Sequence, residues 1–272
     1  MSSGRQAPIV ELRNVGWWSP SHPEHRALQA VDLTIRSGDR IGVVGRSGSG
    51  KTTLALILAG LLEPAEGTVT RAAPAGRLAV GVVFQEAEAS FFEETVLEDV
   101  AFGPRNLGLP DPLERARAAL ARVGLDPDRV GGQAPETLSG GEARRAAIAS
   151  ILAADPAFVV FDEPTTGLDA EGVARLRTIL AGLRDECRGY VLISHELELV
   201  VAETERVVVL HHGRPHWEGP SRSLGSGLPE PWPRADLGFR EVSDAALAQG
   251  WLDDPSPTPR AVAAAIAPRL IR

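Results

Sequence analysis

The feature that most constrains this chain is Gly45-Arg46-Ser47-Gly48-Ser49-Gly50-Lys51-Thr52, which fits the pattern G-x-x-x-x-G-K-[ST] at every fixed position. The apolar run Ile41 to Val44 before it reads as a buried strand, and Thr53 to Leu62 after it as an apolar helix. Strand, glycine-rich turn and helix together make a phosphate cradle. Glycines let the backbone turn tightly and aim amide N–H groups at phosphate oxygens, while the helix points its positive dipole end at the same anion. In such a cradle the Lys51 ammonium reaches the β and γ phosphates, and the Thr52 hydroxyl holds Mg²⁺. A plain glycine-rich turn before a helix would not call for the Lys-Thr pair. The loop by itself points to nucleoside triphosphate chemistry without saying which.

Two alternating segments precede the cradle strand, Ile9 to Val15 and Ala30 to Ile35, each patterned like a half-buried strand. Between them, Trp17 to Pro23 is expected to be a loop, and either tryptophan ring in it can stack on an adenine base or simply cover the sheet. Further strands are expected at Gly67–Arg71 and Leu78–Phe84, the second ending at Gln85 on the carboxyl edge where open α/β sheets bind ligands. Helical stretches follow at Val96–Ala101, at Leu113–Val123 and from Pro135 onward, divided by the breakers Gly103-Pro104, Leu109-Pro110 and Gly124 to Pro127. They read as a helical insertion in an α/β domain.

Leu138-Ser139-Gly140-Gly141-Glu142 then opens a helix through Leu152, with Ser139 as its cap and two glycines leaving the backbone bare for a second anion. Ala157–Phe161 is an apolar strand delivering Asp162 and Glu163 at its end. Alternation aims the two carboxylates differently, so that one can hold magnesium while the other faces a water. Gly167-Leu168-Asp169 turns into a helix from Ala170 to Arg184, and the strand Tyr190–Ser194 ends at His195. Val207–Leu210 and Pro215–Glu218 form a closing hairpin. His211, His212 and His216 beside it read as solvated rather than metal-binding, since no carboxylate or cysteine completes a ligand set nearby. From Pro220 the Ser-, Gly- and Pro-rich composition marks a linker, with short helices expected at Asp244–Gln249 and Pro259–Leu270.

The ordered set of cradle, Gln85, Leu138 to Glu142, Asp162-Glu163, Gly167 to Asp169 and His195 resembles the nucleotide-binding subunit of ATP-binding cassette (ABC) transporters over roughly residues 8–222. The stretch from Phe84 to Gly108 is similar, more narrowly, to energy-coupling factor ATPases, the cobalt, nickel and vitamin uptake group. The resemblance implies an α/β fold with a RecA-like P-loop NTPase core, an N-terminal antiparallel β subdomain, a helical subdomain inserted at about 87–150, and a linker with a small C-terminal helical extension over 223–272. It further implies an ATPase in which Gly45, Arg46, Ser47, Gly48, Ser49, Gly50, Lys51, Thr52 and Thr53 hold the phosphates of ATP. Thr52, Gln85 and Asp162 would hold Mg²⁺, Glu163 would be the general base, and His195 a switch histidine. Ser139, Gly140, Gly141 and Glu142, with Asp169, would complete the ATP site of a second ATPase subunit, either an identical chain or a paralogue. Trp18 falls nearest the position of the family's adenine-stacking aromatic. Glu142 stands where glutamine is frequent, and Arg144 or Arg145 is the neighbour expected to offset its charge.

The partners implied are a transmembrane coupling subunit and a substrate-binding membrane subunit, which would hold the chain peripherally at the cytoplasmic face. Phe91-Phe92-Glu93-Glu94 is the candidate docking stretch. The rival reading is a soluble ABC ATPase acting on nucleic acid or ribosomes. The net charge of −8 opposes it, because phosphate attraction comes from clustered Lys and Arg. A metabolite kinase with the same loop would leave Leu138 to Glu142 unexplained.

Overall fold

The computed structural model describes residues 7–72, 77–85 and 91–226. Its centre is a six-stranded sheet in the order β5 (Val80–Val83), β6 (Phe158–Asp162), β7 (Gly189–Ile193), β3 (Arg40–Val44), β8 (Arg206–His211), β9 (Arg214–Pro220). The first five strands run parallel and β9 returns antiparallel. β6 and β7 are buried along their whole length, which is why they read as unbroken apolar runs rather than alternating ones. A second sheet, β2 (Arg26–Arg36), β1 (Pro8–Trp18), β4 (Glu66–Arg71), is antiparallel.

The central sheet divides the apolar interior in two. Ile41, Val43, Phe158 and Val160 face helix α1 (Lys51–Ala59) and the antiparallel sheet. Val44, Val159 and Phe161 face the helices on the other side. These are α2 (Val96–Asn106), α3 (Pro112–Arg122), α4 (Pro127–Val130), α5 (Gly140–Ala153), α6 (Ala170–Asp185) and α7 (Leu197–Glu203). Residue alternation along β6 thus puts Asp162 on the α1 side and turns Glu163 away from it.

Three local expectations need correction. The loop expected from Trp17 starts only at Ser19, because Trp17 and Trp18 pair with β2 as the last residues of β1. Gly103-Pro104 does not break α2, which continues to Asn106 with Pro104 inside it. Pro104 is buried and α2 packs against α3 and α5, so packing holds the last turn although proline contributes no amide to it. The segment from Pro135 is a single 3₁₀ turn, Pro135–Thr137. Leu138 is extended, and α5 begins only after Ser139. The elements α4 and α7 were not read from the sequence at all. The C-terminal helices expected at Asp244–Gln249 and Pro259–Leu270 lie outside the described residues. Among the described residues, no helix is long and apolar enough to cross a membrane.

Candidate active site

The carboxyl ends of β3, β5, β6 and β7 converge on a cavity of about 730 Å³ lined by the glycine-rich loop, Lys51, Thr52, Thr53, Gln85, Asp162, Glu163 and His195. Glycine is required twice in the loop by close approach. A Cβ on Gly45 would stand 2.3 Å from the Leu210 carbonyl, and one on Gly50, already at φ +100°, would stand 2.3 Å from the Ala27 carbonyl. The turn of the β8–β9 hairpin braces the loop from behind, with the Gly213 amide donating to the Ser49 carbonyl at 3.1 Å. Helix α1 starts at Lys51 with no acidic residue in its first turn, so its dipole end is left for an anion. The Lys51 ammonium meanwhile folds back to donate to the carbonyls of Gly45 (2.8 Å) and Arg46 (3.0 Å). Burial holds its pKa below the usual lysine value, against the upward pull of Glu163 and Asp162.

Asp162 is buried, and its Oδ1 has no hydrogen-bond partner. Burial pushes its carboxyl up, opposed by the Thr52 hydroxyl that bonds it and reinforced by the nearby Glu163. A shielded carboxylate oxygen beside a threonine hydroxyl, at the wall of a phosphate-sized cavity, fits a hard cation with oxygen ligands such as Mg²⁺. Glu163 has a left-handed backbone, φ +49°, which costs a non-glycine residue roughly 1–3 kcal/mol. Its amide donates to the Ile193 carbonyl at 2.9 Å, and its carboxylate Oε2 lies 2.7 Å from His195 Nδ1. The pair is lopsided: the Glu163 side chain is 15% exposed and that of His195 66%. A shielded carboxylate oriented by an imidazole, facing a cavity that can take a triphosphate, has the means to accept a proton from water.

Ser139, Gly140, Gly141 and Glu142 do not join this cavity. They line a second one, about 580 Å³, with Gly167, Leu168 and Asp169. Ser139 caps α5: its Oγ accepts from the Glu142 amide, and Glu142 Oε2 accepts from the Ser139 amide (3.1 Å) and hydroxyl (2.7 Å). The charge of Glu142 is offset chiefly by Arg129 of α4, which donates to its other oxygen, while Arg145, one of the two neighbours expected, acts on it only through space. That contact, with the bonds from Ser139, holds the Glu142 carboxyl at about 2. Asp169 caps α6, accepting from the Gly172 amide at 2.8 Å.

Trp18 is not among the residues lining the larger cavity. The Arg26 guanidinium covers one face of its ring, 4.5 Å from the centroid, and is itself held by Glu66. Trp17 packs against the core. Sequence reasoning named Arg144 only as a neighbour of Glu142 and missed its role as a buried side chain whose guanidinium reaches main-chain carbonyls near the site. Its signal was there: Arg144 falls in phase with Ile148 and Leu152 on α5, and an arginine in an apolar stripe must have somewhere to place five N–H donors.

The ABC transporter family model matches residues 28–166, just over half of the chain. The chain belongs to the ABC transporter ATPase family. A putative ABC transporter ATP-binding protein from Pyrococcus furiosus is 41% identical over 221 residues, covering 78% of this chain and 83% of the relative. The energy-coupling factor transporter ATP-binding protein EcfA2 from Symbiobacterium thermophilum is 40% identical over 226 residues, covering 75% and 78%. Among solved structures, a dimeric post-hydrolysis state of an ATP-binding cassette, bound to ADP and phosphate, superposes with a TM-score of 0.68 at 28% identity, covering 79% of this chain and 99% of that one. The parallel sheet with the glycine-rich loop at its carboxyl edge is therefore the RecA-like core of an ABC cassette. The chain is an ATP hydrolase of the transporter-associated type.

Proposed function

We propose that this ABC ATPase powers substrate uptake through a membrane transporter of the energy-coupling factor type, moving a metal ion such as cobalt or a vitamin. The likeness to the Symbiobacterium thermophilum protein supports the transporter type. The observation that carries the mechanism is the division of phosphate-facing groups between two cavities, with Lys51 in one and Ser139 in the other. Neither half-site is complete alone, so two subunits close head to tail, each ATP lying between Lys51 of one and Ser139 of the other. The second subunit is an identical chain or a paralogue.

In the closed pair the amides from Gly45 to Thr53 and the Lys51 ammonium hold the phosphates. Trp18 offers a ring face to the base. Thr52, Gln85 and Asp162 supply the oxygens for Mg²⁺, which when bound neutralises charge on the β and γ phosphates. Glu163 takes the proton of a water whose oxygen forms a bond to the γ phosphorus as the bond to the bridging oxygen breaks, leaving ADP and phosphate. His195 stabilises the charge spread over the transferring group, and positioning with electrostatics supplies most of the acceleration. Asp169 braces the approach of the second subunit.

Docking to the membrane subunits is placed at Phe91 to Glu94. Phe91 packs against the core while Phe92 stays 64% exposed, stacked edge to face on Phe102. The Phe92 and Glu93 amides bond Asp99, and the carboxylates of Glu93, near Arg105, and Glu94 are the groups offered to a cationic partner. The test is recovery of a tagged chain from detergent-solubilised membranes. Membrane subunits should copurify, and replacing Glu93 and Glu94 together by Gln should weaken that recovery by about 2–5 kcal/mol while basal ATP hydrolysis holds. Recovery with duplex DNA in place of membrane proteins, or unimpaired assembly and transport by the double variant, would sink the proposal.

A further inference from the structure

Arg144 is 6% exposed, and its three carbonyl acceptors belong to two segments, Gln85 after β5 and Glu163 with Thr166 in the turn after β6. Nη1 donates to the Thr166 carbonyl at 2.7 Å, and Nη2 to the carbonyls of Gln85 at 2.8 Å and Glu163 at 3.3 Å. Two of the three acceptors are the main chains of residues whose side chains line the ATP cavity. The third, Thr166, lines both cavities. Arg144 itself rides on α5, five residues after the Ser139 cap and in one rigid helix with it. A buried guanidinium with its acceptors divided in this way ties their positions together, because moving any one leaves a charged donor unpaired at low dielectric. Glu163 is the most sensitive of them. Its left-handed backbone is held by the Ile193 carbonyl on one side, and on the other by the Thr166 amide and Arg144, both donating to its own carbonyl.

We propose that Arg144 is a positioning residue, a strap through which the setting of the helix that begins at Ser139 fixes the orientation of Glu163 and of the Gln85 segment. ATP arriving at Ser139 of one subunit thereby aligns the Glu163 of that same subunit, acting on the other ATP. This rests on the assignment of Glu163 as the base and on the head-to-tail pair. The strap acts on turnover and leaves nucleotide capture to the cradle, whose groups Arg144 does not touch.

Arg144→Met fills the space and removes the donors. With mant-ATP as the binding probe, affinity should stay within about 2-fold and KM should not move, while kcat falls on the order of 100-fold, as expected for a misplaced catalytic group. Arg144→Lys keeps the charge but cannot span three carbonyls, so its kcat should fall between the two. Single-turnover rates should show Arg144→Met adding nothing to Glu163→Gln, because both act on one group. A folded Arg144→Met enzyme with kcat within about 2-fold of wild type would overturn the strap, as would losses that multiply with those of Glu163→Gln. If the methionine variant does not fold, the lysine variant decides: reduced kcat at unchanged KM supports the proposal, and a raised KM or wild-type kcat refutes it. Failure of the underlying assignment is read separately, as a Glu163→Gln enzyme that keeps its full single-turnover rate.

Discussion

Glu163 shows how much of this site is decided by single residues and how little of that a local reading can catch. That Asp162 and Glu163 end an apolar strand, and that a histidine ends the next strand in the chain, could be read directly, because ligand-binding groups of open α/β sheets sit at strand ends. The left-handed backbone of Glu163 could not. For Arg144 the apolar phase could be read but not its acceptors, which lie 59, 22 and 19 residues away. Trp18 is the intermediate case. The residue pattern left two tryptophans open and the family resemblance chose Trp18; in the structure Trp17 packs on the core and Trp18 is stacked under Arg26. On the proposed assignment of the base to Trp18, adenine nucleotide should quench fluorescence from Trp18 alone. Titration with ATP should give the full signal in Trp17→Phe and none in Trp18→Phe. Quenching that survives in Trp18→Phe and disappears in Trp17→Phe would move the base to the other ring.

At the scale of elements, the periodic segments were legible and the irregular ones were not. The central strands declared themselves because burial on both faces demands unbroken apolar runs. Helix α2 was cut short because Gly103-Pro104 is a breaker in isolation, and packing against α3 and α5 overrides it. The cap of α5 was readable from Ser139, but its charge partner was not, since Arg129 comes from α4, an element of four residues without a pattern of its own. The Arg129 contact and the Ser139 bonds lower the Glu142 carboxyl from its ordinary 4.5 to about 2. A depressed carboxyl pKa stabilises the fold fully above the ordinary value, and that stabilisation is lost as pH falls through the folded one. Glu142→Gln should thus lower the melting temperature at neutral pH, and the gap from wild type should close as pH drops from 4.5 toward 2. A gap of constant size across that window would show that the carboxylate charge is not what holds the cap.

For the whole molecule, the sheet edge gathers the glycine-rich loop, Lys51, Thr52, Gln85, Asp162, Glu163 and His195 in one cavity, yet it keeps the Ser139 cap in a different one. The order of motifs along the chain was enough to suggest the cassette, because each motif has a fixed place on the sheet. The separation of the two half-sites is a property of the folded surface and is visible only there. It makes closure of two chains around ATP the central claim. Glu163→Gln removes the proton acceptor and leaves the cradle, so ATP should bind and stay uncleaved, trapping the closed pair. Light scattering of Glu163→Gln decides: with saturating ATP and Mg²⁺ the account predicts that the mass doubles relative to the nucleotide-free chain. A chain that binds ATP under those conditions and keeps the mass of a monomer would contradict it.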